Sequence, residues 1–409
     1  MPFVTFGLLI SAAVANAVVL HPTEKYKFGS EILEKAEFLI HAQKVLAAQA
    51  KIQKDTRAAE PARVFHRKSH GCYTGKLILN ANRGANLRRG IFSDKAKAEY
   101  NVLVRYSNGV SIDQHDLKPD VRGIAMKIFG VEDTENKDLH TLDLLMTNAP
   151  TPFGRDQEEF VEFMEAQVDP GFLHKNMALF GVKHPKVAGI LAKRTLRVIK
   201  SLSKERFWSG HPYLLGKGQA VKFNISPVME HNGKWGAAHD SFADRLLDAE
   251  LGVVEGGISK LAEFSEWIKR QLEPVTDRVH KDYLRQELAR RAKMAPVHYL
   301  LSTQLEKNPG TTPIEDGLRE WTEGVSPSLP LADLILDQQD PSNPVQDQLC
   351  EKLAFTPGHH HSEHRPLSSI GRGRVFAYEA SQRGRGANQT EPDEESLFET
   401  LRGLNTINP

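Results

Sequence analysis

The sequence predicts an α+β fold built on an antiparallel β-barrel that a largely helical stretch interrupts. Two observations carry this. Four short runs, 76–80, 101–106, 121–129 and 139–146, alternate apolar and polar residues or are rich in β-branched types, and only turn clusters separate them. Strands this close together, with no helix between them, suggest an antiparallel barrel. Strand-like runs then resume at 219–229, 296–306 and 329–336. They follow a largely helical stretch, as one interrupted barrel would require.

The remaining elements follow in order. Residues 1–20 carry no charge and contain Gly7-Leu8-Leu9-Ile10, then Ala15-Asn16-Ala17, a pattern suited to signal cleavage. A basic leading region is missing, and Pro2, Ser11 and Asn16 interrupt a length of about 20 residues that would span a membrane. The segment reads either as an export signal or weak membrane anchor, with a periplasmic or membrane location, or as a buried N-terminal arm of a cytoplasmic protein. Residues 29–53 place Ile32, Leu33, Ala36, Leu39, Ile40, Val45 and Leu46 at helical spacing, with Ser30 as cap and Glu31 and Glu34 in the first turn. This is an amphipathic arm suited to packing on a partner surface or a neighbouring subunit. Polar residues 54–61 end in Pro61 and mark a boundary. Helices are expected at 156–167, at 184–202 and over most of 240–291, with a short one at 315–321 and a loop at 207–218. The resulting organisation is 1–28 (leader or arm), 29–60 (helical arm), 61–386 (main domain) and 387–409 (a polar, acidic tail, mobile or loosely docked).

Composition narrows the function classes. The 409 residues are 40% hydrophobic and 26% charged, enough for a sizeable core. A net charge of +1 with no basic run argues against a nucleic-acid binder. Two cysteines, Cys72 and Cys350, support neither a disulfide framework nor a cysteine metal site, and leave a single bridge open. His359, His360, His361 and His364 cluster beside Pro357-Gly358, a turn setting with no Cys or carboxylate partner at ligand spacing. His70 reads as a surface residue. No internal repeat and no phosphate-binding fingerprint is present.

The chemically distinctive stretch is 372–385, read as a short helix between Gly371 and Gly386. Arg374 and Tyr378 are four apart and share a face, and Arg385 returns to that face two turns on. A phenolate ligates haem iron in some haem proteins, and a close guanidinium favours the ionised phenol.

Arg374-x-Phe376-x-Tyr378 followed by Gln382-Arg383-x-Arg385 resembles the proximal haem helix of the haem catalases. Four further segments resemble the same family in the same order. Arg63-Val64-Phe65-His66-Arg67-Lys68 is similar to its distal histidine segment. Arg105-Tyr106-Ser107 is similar to its Arg-Phe-Ser. Asp120-Val121-Arg122-Gly123-Ile124-Ala125-Met126-Lys127 is similar to a scaffold strand in which proline stands at the place of Val121. The run 143–156 is similar, without gaps, to the family's Asp-Leu-Val-Gly-Asn-Asn-Thr-Pro-Ile-Phe-Phe-Ile-Arg-Asp.

The resemblance implies an eight-stranded antiparallel barrel with haem b bound against it. It makes Tyr378 the axial iron ligand and Arg374 the donor to its oxygen. Arg63, Arg105 and Arg385 become propionate-binding residues, and Phe160 a ring stacked on the porphyrin. His66 becomes the distal base, with its tautomer fixed by Ser107. The family's peroxide-orienting asparagine is replaced by Thr147, with Asn148 next to it, so either Thr147 or Asn148 is expected in the distal pocket. The implied activity is catalase- or peroxidase-like turnover of hydrogen peroxide or an organic hydroperoxide. The alternatives are rearrangement of fatty-acid hydroperoxides, as by allene oxide synthases, and haem binding without catalysis. A homo-oligomer is a further expectation from the family.

Overall fold

The computed structural model describes residues 19–58, 61–168, 175–195, 197–231, 234–237, 280–388 and 390–404. Its strands are β1 (Ser69–Leu79), β2 (Glu99–Asn108), β3 (Arg122–Phe129), β4 (Thr141–Thr147), β5 (Phe207–Trp208), β6 (Tyr213–Leu214), β7 (Ala220–His231), β8 (Lys234–Ala237), β9 (Val297–Leu305) and β10 (Leu329–Leu336). Eight of them close a ring in the order β5-β4-β3-β2-β1-β10-β9-β7, with β7 pairing back to β5. Every pairing is antiparallel. Closure removes the open edges that a free sheet would expose.

Period-two alternation explains the two faces of the barrel. Val104, Tyr106, Ile124, Met126, Leu144 and Met146 point inward and join the main core with Tyr299, Leu301 and Leu334. Their sequence neighbours point outward, and register aligns them in rows. Ser107, Gly123 and Thr147 lie side by side, and two residues further along Arg105, Ala125 and Leu145 do the same. The outer face of β2-β3-β4 is therefore a floor on which a site is built. Further along that face the fully buried Lys127–Asp143 pair (2.7 Å) is completed by His359, whose Nδ1 lies 3.0 Å from Lys127 Nζ.

Eight described helices surround the barrel: α1 (Glu31–Thr56), α2 (Gln157–Gln167), α3 (Lys175–Lys183), α4 (Pro185–Thr195), α5 (Tyr283–Met294), α6 (Pro344–Lys352), α7 (Ser368–Gly384) and α8 (Glu394–Leu404). None is long and apolar enough to cross a membrane. Ser30 caps α1 and Asp156 caps α2, each accepting a backbone N–H of its helix, an arrangement worth about 1 kcal/mol. Helix α1 packs along α7 and touches α2 within the same chain: Val45, Ala48 and Ile52 cluster with Val161 and Met164 of α2 and Ala377 of α7, and Phe38 meets Phe376 at 5.6 Å. Gly373 permits this approach, because a Cβ there would stand 2.5 Å from Gln157 and 2.9 Å from Phe38.

The structure departs from the expected elements in several places. The 207–218 loop contains β5, and this two-residue strand closes the barrel. The helix expected at 315–321 is absent, and those residues form turns packed through Trp321. The proximal helix begins earlier than Gly371, at Ser368, and most of the helical 240–291 stretch lies outside the described residues. The tail is docked. Phe398 and Leu401 of α8 are buried, and Phe398 meets Phe129 edge-on at 5.2 Å. An acidic linker hides this amphipathic turn in the sequence. His70 is fully buried, bonded to Asn108 at 2.6 Å. Cys72 and Cys350 form a disulfide that ties β1 to α6. Residues 1–18, with the leader-or-arm question, lie outside the described residues.

Candidate functional site

Over the β2-β3-β4 floor, between barrel, α2 and α7, lies a cavity with two lobes. Phe65, His66, Leu145, Phe160 and Tyr378 line both lobes. One lobe ends at Arg63, Arg105 and Arg385. The other is walled by Val110, Val121, Phe153, Phe163 and Leu191 and carries Thr147.

On the helix side, Arg374 and Tyr378 sit one turn apart on α7, and Arg374 Nη2 donates to the phenol oxygen at 3.0 Å. Burial works against the Arg374 charge, but Tyr378 and Tyr213 outweigh it and hold the guanidinium above its ordinary value. Its Nε is buried with no hydrogen-bond partner among the described residues. The sequence reading missed His211, which lies in the stretch taken for a loop. It is buried, stacks on Tyr213 at 4.7 Å, and leaves Nε2 without a described partner. Burial and then the Arg374 charge keep it neutral, well below the usual histidine range. No spacing signal marks it, since chain reversal at Gly210 brings it to α7.

On the barrel side, His66 adopts a left-handed backbone (φ 56°) just before β1. A non-glycine residue there is uncommon and is held only where its surroundings fix it. Its N–H donates to Gly109 O at 3.0 Å, and its carbonyl accepts from Arg105 at 2.9 Å. Nδ1 lies 2.9 Å from Ser107 Oγ. The ring rests against Gly123, where a Cβ would come within 2.4 Å of Nδ1 and Cε1. Burial, then the charges of Arg105 and Arg374, lower the imidazole to about 3, so it is neutral at physiological pH.

Thr147 and Asn148 part company. Thr147, at the end of β4, lines the cavity. Asn148 is turned away from it: Oδ1 accepts the Arg122 N–H at 2.7 Å and Nδ2 donates to Glu205 at 3.1 Å. The expectation that Asn148 might enter the pocket is therefore corrected. Alternation fixes Thr147 outward on the floor, and Asn148 is used to close the end of the sheet.

The three arginines gather around the C-terminal turn of α6. Arg63 pairs with the Glu351 carboxylate and donates to Leu353 O at 3.2 Å. Arg105 Nε donates to Glu351 Oε1 at 2.8 Å. Arg385 donates to the carbonyls of Glu351 (2.5 Å) and Leu353 (2.9 Å). Burial, and for Arg63 and Arg105 also the neighbouring guanidiniums, lower their pKa values. Arg63 is held well below its ordinary value, Arg105 is lowered to about 9, and burial takes Arg385 to about 10. Phe160 packs on Phe65 at 6.1 Å at the junction of the lobes. Gln157 also lines this lobe, fully buried, with neither amide atom bonded to a described residue.

The cavity thus has apolar walls, a phenol oxygen and a neutral imidazole in the same space, and three guanidiniums at one end. Among the described residues no cluster of three His, Cys, Asp or Glu side chains is placed to hold a bare metal ion. The donor set fits a largely apolar ligand that carries carboxylates at one end.

Neither a family model nor a curated protein matches the sequence. Solved structures do match the fold. The chain is similar to a fungal catalase at 18% identity and TM-score 0.57, over 82% of this chain and 62% of that one. It is similar to a bacterial catalase at 20% identity and TM-score 0.58, over 84% and 62%. Catalase A from Saccharomyces cerevisiae aligns at 17% identity and TM-score 0.56, over 81% and 62%. At these identities the shared property is the fold, and the chain spans 62% of the length of each of these catalases.

Proposed function

We propose that this chain, which has the catalase fold, is a haem-dependent oxidoreductase acting on hydrogen peroxide or an organic hydroperoxide. The observation that carries the reading is one cavity lined by an arginine-bonded phenol and a serine-bonded neutral imidazole, ending in three arginines. In this reading Tyr378 offers its oxygen to iron, and Arg374 holds that oxygen through its hydrogen bond. Arg63, Arg105 and Arg385 would hold the propionates, and Phe160 would help to hold the ring. Ferric haem bound there would supply the centre at which an O–O bond is cleaved.

The chain's own residues handle the proton. Nδ1 of His66 bonded to Ser107 leaves Nε2 to take a proton from the substrate and return it to the departing oxygen. A neutral imidazole is required for the first step, and the burial of His66 supports it.

Rearrangement of an organic hydroperoxide is a second reading with its own support. Thr147 supplies a hydroxyl where the catalases carry an amide, and the adjoining lobe is walled by Val110, Val121, Phe153, Phe163 and Leu191. The test is to give purified, haem-loaded protein hydrogen peroxide in an oxygen electrode and a fatty-acid hydroperoxide in an absorbance assay. Oxygen evolution supports the catalase-like activity. Hydroperoxide loss without oxygen evolution supports the second reading. Turnover of neither would leave a haem-binding protein and contradict the enzyme proposal.

A further inference from the structure

The arginine end of the cavity already contains an anion. The C-terminal turn of α6 presents the Glu351 carboxylate to Arg63 and Arg105, and the carbonyls of residues 351 and 353 to Arg385 and Arg63. A helix C-terminus carries partial negative charge, so the whole turn is an acceptor for cations. The Cys72–Cys350 disulfide ties the residue beside Glu351 to β1, whose Cys72 is in register with Arg105. The acceptor turn is thereby fixed to the same strand pair that carries one of its arginines.

Charge and exposure say what Glu351 does there. Three guanidiniums converge on this turn, and Glu351 is the carboxylate in ion-pair contact with two of them. Arg105 is nearly buried (3% exposed) and Arg63 largely so (12%), whereas the Glu351 side chain is 41% exposed. The arginines are held in place. The carboxylate has one side in water. A buried guanidinium without an anion is costly, and Glu351 supplies one to Arg63 and Arg105.

Resting on the cofactor reading above, we infer that Glu351 is a placeholder anion: it occupies Arg63 and Arg105 in the cofactor-free chain and competes with an incoming cofactor carboxylate. Glu351 therefore weakens the binding of a carboxylate-bearing tetrapyrrole while stabilising the cofactor-free protein. These two effects have opposite signs, and a purely structural glutamate would not produce both.

The experiment is equilibrium titration of the cofactor-free full-length chain with haem and with haem dimethyl ester, followed by absorbance, for the parent and Glu351→Gln. The near-isosteric change is expected to tighten haem binding about tenfold, as the loss of one competing charge-assisted contact would. It is expected to leave the ester's affinity unchanged, because the ester has no carboxylate to compete. Thermal unfolding of the cofactor-free Glu351→Gln protein should occur a few degrees lower than the parent's. Glu351→Ala should give the same signs. Haem binding that is unchanged or weaker in both variants, while the parent binds haem, overturns the role of Glu351 and leaves the cofactor reading standing. Equal tightening for haem and ester also overturns it, since competition with a carboxylate is then excluded. A parent that binds neither tetrapyrrole overturns both.

Discussion

The two walls of the cavity are built in opposite ways. The Tyr378 wall is local: Arg374 and Tyr378 are one helical turn apart on α7, and a single hydrogen bond of 3.0 Å joins them. The His66 wall is assembled from distant parts of the chain. His66 comes from the strained turn before β1, Ser107 from β2, Gly123 from β3 and Thr147 from β4. Its geometry is held by sheet register, where a slip of one residue would turn every side chain to the other face. The difference teaches that the helix wall should respond to changes in the groups themselves. The barrel wall should respond equally to changes in residues that carry no reactive group.

The largest effect should come from such a residue. Gly123→Ala puts a methyl group where the His66 ring lies, and should lower turnover roughly a hundredfold or more, the range typical of a lost general base. His66→Ala should do the same, while the haem absorbance of both variants is kept. If Gly123→Ala turned over at the parental rate, the ring would have to move without consequence, and the contrast between the walls would fail.

A smaller effect is expected at Ser107. Removing the hydroxyl frees Nδ1 and the ring tautomer, and outer partners of this kind are commonly worth about tenfold. Steady-state kinetics of Ser107→Ala across pH should show lower turnover with unaltered haem content, and Ser107→Thr should restore part of it. The smallest effect is on stability. His66 and His364 are lowered to about 3 and His70 to about 4, chiefly by burial, against an unfolded value near 6.5. Between those values the unfolded chain binds protons that the native chain does not. This contribution to stability is therefore complete above about pH 6.5 and is lost as pH falls toward 3. Thermal unfolding measured from pH 8 to 5 should show a falling midpoint, and His70→Gln should make the slope shallower.

The same contrast explains what could be read in the sequence. The shared face of Arg374 and Tyr378 was legible from helical spacing, and the resemblance to the proximal haem helix singled the pair out as a site. The barrel was legible because alternation at 101–106, 121–129 and 139–146 survives in the strands. The sequence could not show which of Thr147 and Asn148 faces the cavity, since that depends on where β4 ends. It could not show β5, because two residues carry no period. His211 and Glu351 were illegible for another reason. The arginines that bear on them, Arg374 through its charge on His211 and Arg63 through its ion pair with Glu351, are 163 and 288 residues away. His70 looked like surface because its partner Asn108 is supplied by β2.

The most direct test of the central claim is the absorption spectrum of haem-supplied protein beside Tyr378→Phe. The account predicts a ferric Soret band of tyrosinate-ligated character in the parent, lost or displaced when the phenol oxygen is removed. A parent without haem absorbance, or a Tyr378→Phe spectrum identical to the parent's, would contradict it.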